Sequence, residues 1–125
     1  MSTVLWISLE TDPEDFAPDD LGYLFNSLDT LDAQCSQLKV RPLSQFVDDS
    51  DLEYNMSEVD LGEKWLQENA KWSNASELLV TLRVLEKALI ESENDEDILE
   101  EIRYVAHRCA EAEKHNTRVR LISVM

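Results

Sequence analysis

The stretch from Asn74 to Asn116 constrains the fold more than any other, because its apolar spacing describes two helices that must lie side by side. Leu78, Leu82, Leu85 and Leu89 recur at intervals of four, three and four, which at about 3.6 residues per turn makes one continuous stripe. Ile98, Ile102, Val105, Cys109 and Ala112 repeat the pattern. Asn74 with Glu77 three residues on reads as an N-cap and capping-box pair. Asn94 followed by Asp95, Glu96 and Asp97 reads as a second helix start, with acids facing the positive end of the helix dipole. Only a polar turn around Ser92 separates the two. So short a connection predicts an antiparallel αα-hairpin whose seams share a core with the rest of the chain.

The remaining segments supply that core's other walls. Thr3 to Glu10 sets Leu5, Ile7 and Leu9 against Val4, Trp6 and Ser8, which predicts a strand buried on both faces, inside a sheet or beneath a loop. Pro18, with Asp19 and Asp20 behind it, predicts a helix start. That helix runs to about Leu38, with Leu21, Leu24, Phe25, Leu28, Leu31, Cys35 and Leu38 inward and Gly22 a local weakness of about 1 kcal/mol against Ala. Arg41 precedes Pro42 and is pushed out of helical geometry, so the helix must stop by Lys39 or Val40. Pro42 to Phe46 reads as a helical turn presenting Leu43 and Phe46 to the core. Between 48 and 70 the pattern fits a short helix near Glu63 to Asn69 with irregular chain before it, while Arg118 to Met125 reads as a closing strand paired with Thr3 to Glu10. Trp72, just before the hairpin, reads as a lid on the core. The expected fold is α+β: one compact domain over residues 1–125, with terminal strands paired in a small sheet packed against about three main helices, the C-terminal αα-hairpin among them.

Charge is the most unusual global property. The chain has 27 acids against 11 bases, a net −16, and residues 1–63 hold 15 of the acids against only Lys39 and Arg41. Glu10 to Asp20 holds six acids and no base, and Asp48 to Glu63 seven acids and no base. Such a field repels nucleic acid and anionic membranes and attracts a basic protein surface. The residues expected to meet that partner are Asp48, Asp49, Asp51, Glu53, Glu58 and Asp60. The alternative is a small ligand-binding sensor or enzyme using an apolar pocket between sheet and hairpin, lined by Trp6, Trp65, Trp72 and Tyr104.

Chemistry-bearing motifs are sparse. With two glycines, Gly22 and Gly62, no phosphate-cradling loop, dinucleotide fingerprint or nucleophile elbow can be built. His107, Glu111 and His115 fall at successive i, i+4 positions, a metal-capable spacing, but on the solvent face of their helix with no further ligand identifiable. Asp49, Asp51 and Glu53 imitate the start of a calcium loop, yet Tyr54 stands where that loop needs Gly and Asp60 where it needs Glu. Catalytic residues, metal and cofactor are accordingly expected to be none. Cys35 and Cys109 fall on apolar faces and read as buried reduced thiols. Asn55-Met56-Ser57 and Asn74-Ala75-Ser76 match the glycosylation pattern, which matters only in a secreted chain. No stretch approaches the about 18–20 consecutive apolar residues of a membrane span, and no basic segment leads into a long apolar run at the N-terminus. A cytoplasmic monomer or homodimer is expected.

Three stretches carry a resemblance: Trp6-Ile7-Ser8-Leu9-Glu10, the run Leu38-Lys39-Val40-Arg41-Pro42-Leu43-Ser44-Gln45-Phe46, and Trp72 leading into the Leu78-bearing helix. They look like a group of small acidic bacterial proteins without an assigned activity, which implies a bacterial cytosolic domain and transfers no catalytic residue. In style the chain is also similar to the immunity proteins that neutralise basic bacterial toxins, which implies binding rather than catalysis.

Overall fold

A computed structural model of the chain describes residues 3–13, 15–57, 59, 61–92 and 96–124, with side chains at all of these except 51, 52, 55, 63, 66 and 67. The elements run β1 (Val4–Leu9), α1 (Gly22–Asn26), α2 (Leu28–Leu38), a 3-10 turn (Leu43–Phe46), β2 (Val47–Asp48), α3 (Ser50–Met56), α4 (Gly62–Asn69), α5 (Ala75–Glu91), α6 (Glu96–Lys114) and β3 (Val119–Val124). The fold is α+β: a three-stranded sheet of order β1-β3-β2 packed against the helices.

The expected hairpin is α5 and α6, packed against each other. Leu78, Leu82, Leu85 and Leu89 of α5 are buried, as are Ile102, Val105, Cys109 and Ala112 of α6, while Ile98 is half-buried against the same cluster. Burying a leucine contributes about 2 kcal/mol against about 1 kcal/mol for a helix cap, so the seams rather than the caps dictate the pairing. Asn74 caps α5 as expected, its Oδ1 accepting from Glu77 N–H at 3.1 Å. The reciprocal half of the capping box is not made; the Glu77 carboxylate instead accepts from Arg41 at 3.1 Å. Glu96 and Asp97 occupy the first turn of α6, whereas the proposed cap Asn94 lies outside the described residues.

β3 occupies the middle of the sheet. It runs antiparallel to β1, with Leu5 opposite Ser123 and Ile7 opposite Leu121, and parallel to β2, with Val47 opposite Leu121. Val119, Leu121, Ile122 and Ser123 are buried in consequence. Asn116, in the left-handed region at φ 55°, turns the chain out of α6, and Thr117 N–H reaches back to the Ala112 carbonyl at 2.9 Å. β3 follows after one further residue.

Four expectations need correction. β1 is an edge strand, not one buried on both faces: Leu5, Ile7 and Leu9 are buried while Val4, Trp6 and Ser8 are half-exposed. Its free edge is blocked by an isolated bridge from Leu21 to Leu5, and at Leu9 N–H by the Asp12 carboxylate at 2.9 Å. The helix expected to start at Pro18 begins at Gly22 and breaks at Ser27. The break lets α1 pack on β1 and α6 while α2 packs on the 3-10 turn and α5, two directions that one straight rod cannot serve. Leu38 is 44% exposed rather than inward, because Lys39 adopts φ 59° and ends the helix, with Val40 N–H bonded to the Cys35 carbonyl at 3.0 Å. Finally, the chain before α4 is not irregular, since residues 50–56 form α3. The 3-10 turn does bury Leu43 and Phe46, and α4 spans the helix expected near Glu63 to Asn69.

Removing residues 120–125 takes away the strand to which both other strands bond. The truncated chain should lose its cooperative thermal transition and near-UV CD signal, since β1 and β2 cannot pair with each other across the gap.

Candidate functional site

The acids of the first half divide into those that hold the fold together and those that face solvent. Asp48, expected on a docking surface, belongs to the first class: it is 3% exposed. Its carboxylate accepts from Ser50 N–H at 2.9 Å, Lys71 N–H at 2.9 Å and Arg120 Nε at 2.7 Å, while Arg120 Nη2 donates to Ser50 Oγ at 3.1 Å. One carboxylate thereby joins β2, the start of α3, the segment before α5 and β3. Burial works against its ionisation, but the donors from Ser50, Lys71 and Arg120 outweigh it and hold the carboxyl below its ordinary range. Asp48 is therefore removed from the candidate docking set.

Two further acids do similar work. Glu10 accepts from Arg118 Nε at 3.1 Å and Nη2 at 2.9 Å, and that bond lowers its carboxyl pKa. Asp12 pairs with the buried Arg108, whose guanidinium also lies 4.4 Å from the centre of the Phe16 ring.

Of the other expected docking residues, Asp49 just before α3 and Glu53 on α3 are exposed, Asp51 lies in α3 with its side chain outside the described set, and Glu58 and Asp60 lie outside the described residues. A second acidic surface was not singled out by sequence. Asp19, Asp20, Asp97, Glu100 and Glu101 line a cleft of about 260 Å³ with Leu21, Tyr23 and Tyr104. It brings the entry to α1 beside the first two turns of α6. Glu101 accepts from Leu24 N–H at 2.7 Å and Tyr23 N–H at 3.4 Å, so a carboxylate remote in sequence caps α1. Burial pushes the Glu101 carboxyl up; those two donors oppose the shift, and Asp97 and Glu100 add to it. Asp20 accepts from Trp6 Nε1 at 2.7 Å. Asp19, Asp97 and Glu100 face solvent, and Tyr23 is 53% exposed. The available signal is the cluster of acids at residues 96–101, of which the dipole argument accounts for Glu96 and Asp97 only.

The alternative aromatic pocket does not assemble. Tyr104 lines the acidic cleft and Trp6 is tied to Asp20. Trp65 stacks on Tyr54 with ring centres 6.4 Å apart, and Trp72 lies beneath the guanidinium groups of Arg118 and Arg120 at 5.6 and 5.5 Å. Among the described residues these four aromatics stand in four separate settings. His107 Nε2 lies 3.1 Å from Glu111 Oε1 on an exposed face, and His115 is exposed. Cys35 and Cys109 are buried free thiols; burial pushes the first up and the second to about 12, far from a reactive thiolate.

Comparison with known proteins returned no match to a family model, to a curated protein or to a solved structure.

Asp48→Asn should cost about 3 kcal/mol in urea unfolding, because it takes the charge from a buried carboxylate that accepts from Arg120, Ser50 and Lys71, whereas Glu53→Lys should change stability by less than about 0.5 kcal/mol. The sign of the pH effect follows from the lowered carboxyl. Its stabilisation is complete above the ordinary carboxylate range and is lost as pH falls through the depressed folded value, so the variant should show a flatter acid limb. Replacing His107 and His115 together by Gln should also move stability by less than about 0.5 kcal/mol, and a chelator should leave the melting temperature of the parent protein unchanged.

Proposed function

We propose that this protein is a non-enzymatic acidic binding module that docks a basic protein, in the manner of an immunity protein held against a basic toxin in the cytoplasm. The observation that supports it best is the cleft between α1 and α6, where five carboxylates and two tyrosines converge and, among the described residues, no basic side chain lines it. A lysine or arginine entering there meets solvent-facing acids at Asp19, Asp97 and Glu100, with aromatic surface from Tyr23 and Tyr104 against which a cation also packs favourably. The net charge of −16 adds long-range attraction that raises the encounter rate.

No candidate helix in the described residues is long and apolar enough to cross a membrane. The buried, unpaired thiols accord with a reducing compartment.

The test is kinetic. A partner isolated from the native organism should be basic, and its association rate should fall at least about tenfold as salt rises well past the ionic strength at which the Debye length is about 8 Å. Reversing Asp19, Asp97 and Glu100 to Lys should slow association while leaving the melting temperature equal or higher, because self-repulsion is relieved. A partner whose binding ignores both salt and these reversals overturns the reading.

A further inference from the structure

We infer that the face between the end of α2 and the start of α5 is where two copies of this chain meet about a twofold axis. Lys39, Val40, Arg41, Glu77, Val80 and Thr81 line a groove of about 370 Å³ there. Its walls are tied together. Thr81 Oγ1 donates to the Arg41 carbonyl at 2.9 Å, Arg41 Nη1 to Glu77 at 3.1 Å and Arg41 Nε to Gln45 Oε1 at 3.1 Å, while the Arg41 guanidinium lies 4.3 Å from the centre of the Phe46 ring. Val80 is 58% exposed in this groove, and Leu38, next to Lys39, is largely exposed as well. Neither belongs to the core cluster. Exposed apolar side chains on an ordered concave wall mark a contact surface.

Charge selects the occupant. Lys39 and Arg41 are the only bases in residues 1–63, and both line this groove against one acid, Glu77. The two bases disfavour the basic partner that suits the α1–α6 cleft, and a partner acidic throughout leaves Glu77 unmatched. A second copy presents both signs. About a twofold axis, Lys39 of each copy lies opposite Glu77 of the other, with the Val80 side chains between them. Lys39 makes no ion pair among the described residues, and the Glu77 side chain is 62% exposed, so both have room to bond across the axis. Two chains of net −16 repel one another, and a face with two bases to one acid is where their approach costs least. That repulsion outweighs a few exposed ion pairs, so salt should tighten the dimer by screening it. Docking of a basic partner has the opposite salt dependence, and the groove shares no lining residue with the cleft, so either reading can fail alone.

Sedimentation velocity of the intact chain, over a range of protein and salt concentrations, tests the assignment. A dimer should form with a Kd on the order of 10 to 100 μM and tighten as salt rises. Val80→Asp should weaken it at least about tenfold, whereas Ile90→Asp, at an exposed position outside the groove, should leave it unchanged. Lys39→Glu and Glu77→Lys should each weaken it at least about fivefold, with folding checked by CD. The second is the sharper variant: it makes the chain less negative, so relief of general repulsion alone predicts tighter association. Mixed together, the two single variants should pair, because each contact across the axis is again one lysine against one glutamate. A protein that stays monomeric up to about 1 mM at every salt concentration overturns the inference. So does a dimer that ignores Val80→Asp, one that Ile90→Asp weakens equally, growth beyond the dimer, or charge variants that fail to pair when mixed.

Discussion

The fold depends on the last strand of the chain lying in the middle of its sheet. β3 is the neighbour of both β1 and β2, so neither flanking strand has a ladder until the C-terminal segment is in place. Backbone pairing alone does not fix that segment. Arg118 and Arg120, on its less buried side, bond to Glu10 and Asp48 respectively, and both guanidinium groups lie over Trp72. Arg108 on α6 adds a third tie, to Asp12. All three join an acid of the first half to a base of the second.

That pattern changes the meaning of the charge asymmetry. Fifteen acids against two bases in residues 1–63 look like a surface field, yet Glu10, Asp12 and Asp48 are matched by arginines far along the chain. Of the three, Asp48 with Arg120 is the most buried pair, and there the cost of losing one partner is greatest because the other charge is left in a poorly solvated site. Glu10 with Arg118 is exposed enough that water screens it, so it guides register more than it stabilises.

What was legible in the sequence followed periodicity. The α5–α6 hairpin repeats its apolar residues over about three turns in α5 and about four in α6, enough for the 3.6-residue period to be unambiguous, and the 3-10 turn followed from Pro42 and the two apolar residues behind it. What was missed had no periodic signature. The break at Ser27 answers the need of α1 and α2 to reach different partners, which is a tertiary demand. α3 is seven residues, under two turns, and Leu52, Tyr54 and Met56 alternate like a strand within it. Asp48 is one acid among seven in its segment, and only the positions of Arg120, Ser50 and Lys71 in space set it apart. Sequence composition located the acidity; it did not distinguish an acid that binds its own arginine from one that faces solvent.

The distribution of the solvent-facing acids follows from where the core gets its strength. The long helix α5 has three acids and two bases, and its buried leucines join those of α6 in a cluster that holds the molecule regardless of surface charge. Acids accumulate instead ahead of α1 at Asp19 and Asp20, at the start of α6 and around α3. At the start of α6, Glu96, Asp97, Glu100 and Glu101 lie near the positive end of the helix dipole, which offsets part of their mutual repulsion. Glu101 also caps α1, so the wall of the cleft is fixed by the same carboxylate that shapes the helix opposite. α3 is anchored to β3 through Asp48 and Ser50, at one end only, and its other end displays Met56. The buried core of the hairpin thus supports short acidic surfaces, and the repulsion among those acids is the free energy that docking of the proposed basic partner would relieve.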